Sequence, residues 1–179
     1  MKVDPDLVHR LFYPQVPLVM AARSGKRVSA MPVVSYLSTS GTPPLVGVAC
    51  KPESFTCKLA LKARAFSLSV LDRKHLAEMS RLATLSGAEV KDKLAAAGLA
   101  HSAGTDARVP VLDEAVATLE CRLLSAPKSG DHLILIGSVA AAYASEAFSG
   151  FWDYQKYSPI LYTGWKGGFS LYEGPRRKT

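Results

Sequence analysis

Short apolar runs separated by turn residues fill the first part of the chain and predict β-strands. Val16–Ala22 ends at a glycine-containing turn and is followed by the β-branched segment Val28–Leu37, so the two runs predict a hairpin. Leu45–Cys50 predicts a third strand. Phe66–Leu71 predicts a fourth, because its large apolar residues alternate with serines in the two-residue period of a strand with one polar face.

Helical periodicity occurs in two places among these strands. Phe55–Arg64 lacks glycine and proline and predicts a short helix that opens at Ser54 or Thr56. Between His75 and Leu99, apolar residues recur at helical spacing on both sides of a Ser86-Gly87 break. This segment therefore predicts two helices with a kinked joint.

The second half of the chain returns to strand patterns. Ala115–Ser125 and His132–Ala142 are apolar runs joined by a turn, and they predict a second hairpin. The aromatic segment Phe151–Tyr172 predicts a loop-rich ending that returns one short strand to the sheet. Because hairpins prevail without βαβ alternation, we expect a mainly β fold: an antiparallel closed or split β-barrel with helical insertions. Residues 1–179 are expected to form one domain, with a flexible tail at residues 174–179.

Composition and charge narrow the classes of function. With 48% hydrophobic and 21% charged residues, no apolar run long enough to span a bilayer and no signal-peptide pattern, we expect a cytoplasmic globular protein. The three cysteines form no CxxC pair and the four histidines show no zinc-site spacing, so neither disulfide chemistry nor a protein-ligated metal is expected. The formal net charge of +7, part of it in the terminal PRRKT, suits a small anionic ligand or a nucleic acid equally.

Polar segments flank the predicted third strand on both sides. In KPESFTCKL, Ser54 and Thr56 stand at the predicted start of a helix, with Lys51 or Lys58 nearby. This combination suits a bound phosphate, and simple capping of the helix by a hydroxyl is the alternative. In STSGTPP, Ser38–Thr42 offers hydroxyls and N–H groups to a planar heterocycle, and a solvated serine-rich turn is the alternative.

Motifs of other enzyme classes are missing from the sequence. No GxGxxG opens a helix and no GxxxxGK[ST] occurs, so Rossmann and P-loop nucleotide sites are not expected. His132, in SGDHLILIG, begins a predicted strand and either faces a cleft or is a structural histidine. Neither a Ser/His/Asp order nor paired carboxylates stand out, which gives hydrolysis little support.

Several segments, taken in order, carry a family resemblance: RLFYPQVPLVMAA, VSAMPVVSYLSTSGTPPLVGVACKPESFTCKL, SGAEVKDKL, LECRLL and SGDHLILIGSV. Together they resemble the flavin reductase-like family of FMN-binding split barrels, especially its flavoredoxin-type members. The resemblance implies a homodimer with noncovalently bound FMN near the dimer interface. It also implies electron transfer that involves NADH or NADPH, free flavin or another redox partner.

The resemblance also assigns site residues by position. The isoalloxazine ring would be lined by Ser29, Ala30 and Met31 and by Ser38, Thr39 and Ser40. The phosphate would be approached by Ser54, Thr56 and Lys93, with Lys58 as a compensating charge. His132 and Trp165 would border the flavin, and His132 would stabilise reduced flavin or position the electron donor. The sequence departs from the family at four positions, with Ser29 where asparagine is common, Ser35 where tryptophan is common, and Ser54 and Ala88 where arginine often appears.

The resulting expectation is a flavoprotein that passes electrons through FMN to flavin, ferric or protein acceptors. One alternative is an FMN-binding electron carrier that turns over no substrate. A nucleic-acid-binding domain is a second alternative, supported by the positive charge and by the aromatic residues of Phe151–Tyr172.

Overall fold

The computed structural model describes residues 2–164 and 168–172 and is built around one antiparallel sheet. The sheet has the strand order β2-β1-β5-β8-β10-β4-β3, and the short β9 pairs with β10. The strands are β1 (Leu18–Ser24), β2 (Arg27–Val33), β3 (Tyr36–Ser40), β4 (Leu45–Cys50), β5 (Ala65–Val70), β6 (His101–Ala103), β7 (Pro110–Leu112), β8 (Ala117–Ser125), β9 (Lys128–Ser129), β10 (His132–Ala144), β11 (Ile160–Tyr162) and β12 (Phe169–Leu171).

Both predicted hairpins form. β1 and β2 pair from Leu18 opposite Val33 to Ser24 opposite Arg27, across a turn in which Gly25 has a φ of +59°. β8 and β10 pair antiparallel, with shifts of register within β10. The mainly β, antiparallel fold class is confirmed, and the description as a split barrel stays a prediction.

The predicted strand Val28–Leu37 is wrong in its length, because the chain changes partner within it. β2 ends at Val33 on β1, and β3 begins at Tyr36 on β4. At the junction, the carbonyl of Ser35 accepts a hydrogen bond from the backbone N–H of Ala49, at 2.8 Å. The two outermost strands of the sheet order are therefore consecutive in the chain.

The helices are α1 (Phe55–Ala63), α2 (Leu76–Thr84) and α3 (Lys93–Ala97), with 3-10 helices at Pro5–Phe12 and Arg73–His75. α1 confirms the helix expected there and ends at Arg64, whose φ is +57°. The two predicted later helices also form, but α3 has only five residues because Asp92 caps its start and Gly98 ends it. Residues between α2 and α3 form turns instead of a kinked joint.

The core is divided by the sheet into two clusters. One cluster packs α1 against the sheet around Met20, Val48 and Phe66. The other packs α2 and α3 against β1 and β2, around Met79 and Leu94. Burial of these large apolar side chains supplies the main stabilising free energy of such a domain.

No sequence pattern predicted the β6–β7 hairpin, whose connecting turn is held by the buried carboxylate of Glu120. That carboxylate accepts hydrogen bonds from the backbone N–H groups of Thr105 (3.0 Å), Asp106 (3.1 Å) and Ala107 (2.7 Å), and from the hydroxyl of Tyr143 (2.8 Å). Burial alone would raise the pKa of Glu120, but these hydrogen bonds together lower it below its usual value.

The aromatic ending differs from its prediction. β11 and β12 pair with each other, so the expected return of one short strand to the main sheet is wrong. Tyr162 of β11 exchanges backbone hydrogen bonds with Gln15, which ties this hairpin to the beginning of the chain. Within the part of the chain that the structure describes, no helix has the length and apolar character needed to cross a membrane.

Candidate functional site

Two clefts meet at Tyr13, whose side chain lines both of them. The first, here called the lysine cleft, has a volume of about 530 Å³ and is lined by Tyr13, Met31, Pro32, Val34, Leu82, Ala83, Thr84, Lys93, Tyr162 and Phe169. The second, here called the histidine cleft, has a volume of about 800 Å³ and is lined by Asp6, His9, Phe12, Tyr13, Gln15, Ser35, Lys51, Asp131 and His132.

Lys93 is the cation of the lysine cleft. It is the first residue of α3, and the side chain of Asp92 fixes that helix start by accepting a hydrogen bond from the N–H of Ala95 at 3.0 Å. Asp92 is itself held by His101, with 2.8 Å between carboxylate and ring nitrogen. Lys93 is only 6% exposed, and its ammonium makes no hydrogen bond or salt bridge to residues 2–164 or 168–172.

Burial lowers the pKa of Lys93 below its ordinary value, because a charged ammonium loses hydration there. None of the described residues that line the lysine cleft is acidic. The remaining lining is mostly apolar and aromatic. A buried cation without a counter-charge in an apolar cleft is suited to an anionic group of a bound ligand.

Four of the predicted site residues contact one another in pairs, and one of the four lines this cleft. The hydroxyls of Ser29 and Thr56 are 2.9 Å apart and buried, and the Ser54 hydroxyl lies 3.0 Å from the sulfur of Met31. Gly87 covers the first pair so closely that a Cβ there would collide with the Ser29 hydroxyl. Ser29 and Thr56 thus satisfy each other instead of pointing into the cleft, whereas Met31 lines it.

The start of α1 lacks a side-chain cap, since Ser54 makes no capping hydrogen bond. Next to it, Arg27 lies over the ring of Phe55 at 4.9 Å and donates to the carbonyls of Gly87 (3.0 Å) and Ala88 (2.8 Å). The guanidinium therefore clamps the turn between α2 and α3 onto α1. Sequence reasoning missed Arg27, because its partners lie 60 residues further along the chain.

His132 begins β10 and lines the histidine cleft beside the exposed turn between β9 and β10. Its Nδ1 atom is 2.7 Å from a carboxylate oxygen of Asp131. This hydrogen bond lowers the pKa of the Asp131 carboxyl, with a smaller contribution from Lys51. Asp131 therefore orients the ring and leaves Nε2 as the nitrogen available to a ligand.

Other predicted residues lie elsewhere. Ala30 is buried in β2 opposite Ala21. Ser38, Thr39 and Ser40 lie on β3, where Ser40 pairs with Leu45 at the end of β4 remote from α1, about 17 Å along the strand. The structure does not bring these three residues to the lining of either cleft, and their contact with a flavin ring stays a prediction.

The last two predicted positions are Lys58 and Trp165. Lys58 is exposed on α1 and does not line either cleft. Trp165 lies outside the described residues. In contrast, Tyr13, which no sequence pattern singled out, lies at the junction of the clefts, and its ring packs edge-on against Tyr162 with 4.9 Å between centroids.

The comparison with protein families identifies the chain. The model of the family described as "Flavin reductase like domain" matches residues 9–163. This range contains all the lining residues of the two clefts except Asp6 and Phe169. The chain belongs to this family. The resemblance drawn from the sequence is therefore confirmed.

Relatives and solved structures agree with this membership. A flavin reductase from Pseudomonas putida is 30% identical over 171 residues, covering 94% of this chain and 92% of the relative. An uncharacterized protein from Aeropyrum pernix is 30% identical over 164 residues, covering 91% of this chain; this chain spans 62% of that relative's length.

Among solved structures, an FMN-binding protein from Thermus thermophilus with bound p-hydroxybenzaldehyde is 33% identical and has a TM-score of 0.82. The match covers 100% of this chain and 95% of the other. A flavoredoxin from Methanosarcina acetivorans, 20% identical with a TM-score of 0.83, shows the same fold over 100% of this chain and 96% of its own.

Proposed function

We propose that the protein binds FMN noncovalently in the lysine cleft and passes electrons between it and a second molecule in the histidine cleft. The observation that carries this proposal is the largely buried side chain of Lys93, which has no counter-charge among the described residues and lines a cleft without described acids. The family and the FMN-binding relative of known structure make a flavin the ligand of choice.

The residues of the lysine cleft fit FMN in size and chemistry. A volume of about 530 Å³ lies within the range of roughly 300–1,000 Å³ that is usual for cofactor-sized ligands. Lys93 would neutralise the phosphate, with the hydroxyl of Thr84 on the same wall. Met31, Val34 and Tyr162 offer apolar surface to the tricyclic ring.

The electron-exchange step takes place at the junction of the clefts. Bound FMN supplies the redox chemistry, because its ring accepts a hydride or releases electrons. The chain's own residues position the second molecule: Tyr13 lines both clefts, Ser35 lines the histidine cleft, and Lys51 supplies positive charge there. His132, oriented by Asp131, offers Nε2 to hold a proton or a hydrogen bond near the exchanging ring.

We further propose that the donor is NADH or NADPH and that the acceptor is free flavin, a ferric chelate or a protein. We also propose a homodimer, supported by exposed apolar residues of the first 3-10 helix: Leu11 is 66% and Phe12 69% exposed. Apolar side chains in such a group favour association with another protein surface. Sedimentation of the purified protein tests this assembly.

A titration with two flavins tests the central proposal. FMN and riboflavin share the ring and differ in the phosphate, so binding at Lys93 predicts that FMN binds at least tenfold more tightly than riboflavin. The measurement is quenching of flavin fluorescence by the apoprotein. Equal affinity for the two flavins, or no uptake of FMN at micromolar concentration, overturns the proposal.

Turnover separates an enzyme from an electron carrier. Oxidation of NADH or NADPH, followed by absorbance with excess free FMN as acceptor, is expected to continue over many cycles for a reductase. If bound FMN is reduced once and no further NADH or NADPH is oxidised, the protein is an electron carrier that binds FMN in the same cleft.

A further inference from the structure

Two buried thiols lie side by side where β4 leads into α1. Cys50 is the last residue of β4, Cys57 lies in the first turn of α1, and their Sγ atoms are 2.8 Å apart. The exposure of Cys50 is 4% and that of Cys57 is 0%, so the packing of the core fixes this approach. A disulfide has an S–S length of about 2.05 Å, which the two sulfurs would reach by approaching a further 0.8 Å or so.

We propose that Cys50 and Cys57 form an intramolecular disulfide when the protein is exposed to hydrogen peroxide. Neither the resemblance to flavin reductases nor the proposed cleft chemistry requires this pair. The sequence argued against disulfide chemistry, because three is an odd number of cysteines, none forms a CxxC pair, and a reducing compartment is expected. The fold instead places together two cysteines that are seven positions apart.

The reaction balances with one peroxide. The sulfur of one cysteine attacks a peroxide oxygen and becomes a sulfenic acid, and the O–O bond breaks with release of one water. The second thiol then attacks that sulfur, and the S–O bond breaks. The hydroxyl group leaves with the proton of the second thiol as a second water. Two thiols and one hydrogen peroxide thus give one disulfide and two waters.

The two sulfurs differ in how readily they attack. Burial, and secondarily the neighbouring Cys57, raise the pKa of the Cys50 thiol. Because the thiolate is the form that attacks a peroxide, this raised pKa makes Cys50 the poorer first attacker. We therefore assign the first attack to Cys57 and the resolving step to Cys50.

The disulfide would close a short ring of the chain next to both clefts. The ring contains Lys51, which lines the histidine cleft, and Ser54, which lies against Met31 of the lysine cleft. Cross-linking restricts the unfolded chain and would raise Tm by about 5–10 °C for a ring of this length in a domain of this size. The expected role of the disulfide is to connect β4 and α1 covalently.

Peptide mapping of the intact wild-type chain tests the proposal directly. Trypsin does not cut before proline, so Val28–Lys58 is one peptide that holds both cysteines, and Cys121 falls in the separate peptide Val109–Arg122. The folded protein is treated with peroxide and is then denatured in the presence of iodoacetamide, which alkylates the remaining thiols. We expect the first peptide without alkylation and lighter by two hydrogen atoms, and the second fully alkylated.

Cys121 provides the internal control, since it is also fully buried and its pKa is raised by burial to about 12. The Tm of wild type is expected to rise after peroxide, and that of Cys57→Ser to stay unchanged. Should this variant fail to fold, the peptide masses of wild type decide alone. Two alkylated cysteines in Val28–Lys58 after peroxide, or oxidation of Cys121 in their place, overturn the proposal.

Discussion

The two clefts share Tyr13 but differ in almost every other physical property. The lysine cleft has a single charged group among its described lining residues, a buried cation, set in apolar and aromatic surface. The histidine cleft is larger and carries two carboxylates, a lysine and two histidines, several of them exposed.

This difference separates a tight binding role from an exchange role. A desolvated ammonium without a counter-charge among the described residues costs stability in the free protein, and a bound anion offsets that cost. Exposed charges of both signs are screened by water and suit a molecule that must enter and leave. We therefore assign the resident cofactor to the lysine cleft and the visiting molecule to the histidine cleft.

The substitution Lys93→Met tests the comparison with the largest expected effect. Loss of a charged hydrogen bond to the phosphate predicts an FMN affinity about 10- to 100-fold weaker, with riboflavin affinity unchanged. Titration of both flavins measures it. Lys62→Met, on the exposed side of α1, is the matched control. If Lys58→Met gives the loss in place of Lys93→Met, the phosphate lies at α1.

The same variant should stabilise the protein without ligand. The lowered pKa of Lys93 means that the unfolded chain holds this proton more tightly than the folded chain does. The resulting penalty is complete below the lowered folded-state pKa and disappears as pH rises past the ordinary lysine value. We expect the Tm of apo Lys93→Met to exceed that of wild type by a few degrees at pH 7 and to match it at strongly alkaline pH.

His132→Ala tests the other cleft. Turnover of NADH or NADPH is expected to fall about tenfold, because the positioned ring nitrogen is lost, while FMN affinity stays within about twofold. Asp131→Asn keeps the histidine and weakens its orientation, so it should give a smaller loss. Unchanged turnover in His132→Ala would remove this residue from the exchange step.

Tyr13→Ala should remove the side chain that separates the two clefts. Removal of the ring that packs on Tyr162 joins the two spaces, and we expect FMN affinity and the KM for the electron donor each to worsen about fivefold. Tyr13→Phe keeps the ring and serves as the control. An effect on one ligand alone would show that Tyr13 belongs to a single cleft.

Ser29→Ala has the smallest expected effect on ligands. It leaves the buried hydroxyl of Thr56 without a partner, so the free energy of unfolding should fall by about 1–3 kcal/mol, measured by urea denaturation. FMN affinity should change less than twofold. The double variant Ser29→Ala with Thr56→Val removes both hydroxyls and should recover most of the stability. A large loss of FMN affinity would mean that Ser29 contacts the cofactor.

Local patterns predicted the elements that local forces determine. The alternation of Phe66–Leu71 and the composition of Phe55–Arg64 predicted β5 and α1, because side-chain period and propensity act over a few residues. The solvent-exposed face predicted for β5 is wrong, since Ser67 and Ser69 are buried and hydrogen-bonded to other parts of the chain. The change of partner at Val34-Ser35 was not visible in the sequence, since residues that suit a strand stand on both sides of it, valines before and Tyr36 and Leu37 after. The three-residue strands β6 and β7 are too short to show a period.

The site was only partly predictable for the same reason. Lys93 and His132 were selected by family resemblance, and each lines a cleft. The hydrogen bond between Ser29 and Thr56 could not be predicted from the sequence, because the two residues are 27 positions apart. Gly87, which covers the pair, comes from a third segment, the turn that follows α2. Tyr13 and Arg27 likewise depend on contacts that only the folded chain creates.

The way Glu120 holds the β6–β7 turn leaves a stretch of surface open to redesign. Its carboxylate recognises three successive backbone N–H groups, those of Thr105, Asp106 and Ala107, and backbone groups are common to all residues except proline. Glu120 therefore places no demand on these three side chains, although the Thr105 hydroxyl also bonds that of Tyr143, and a Cβ at Gly104 would collide with Glu120. A tag or reporter group could be grafted at this turn while the carboxylate keeps its anchoring bonds.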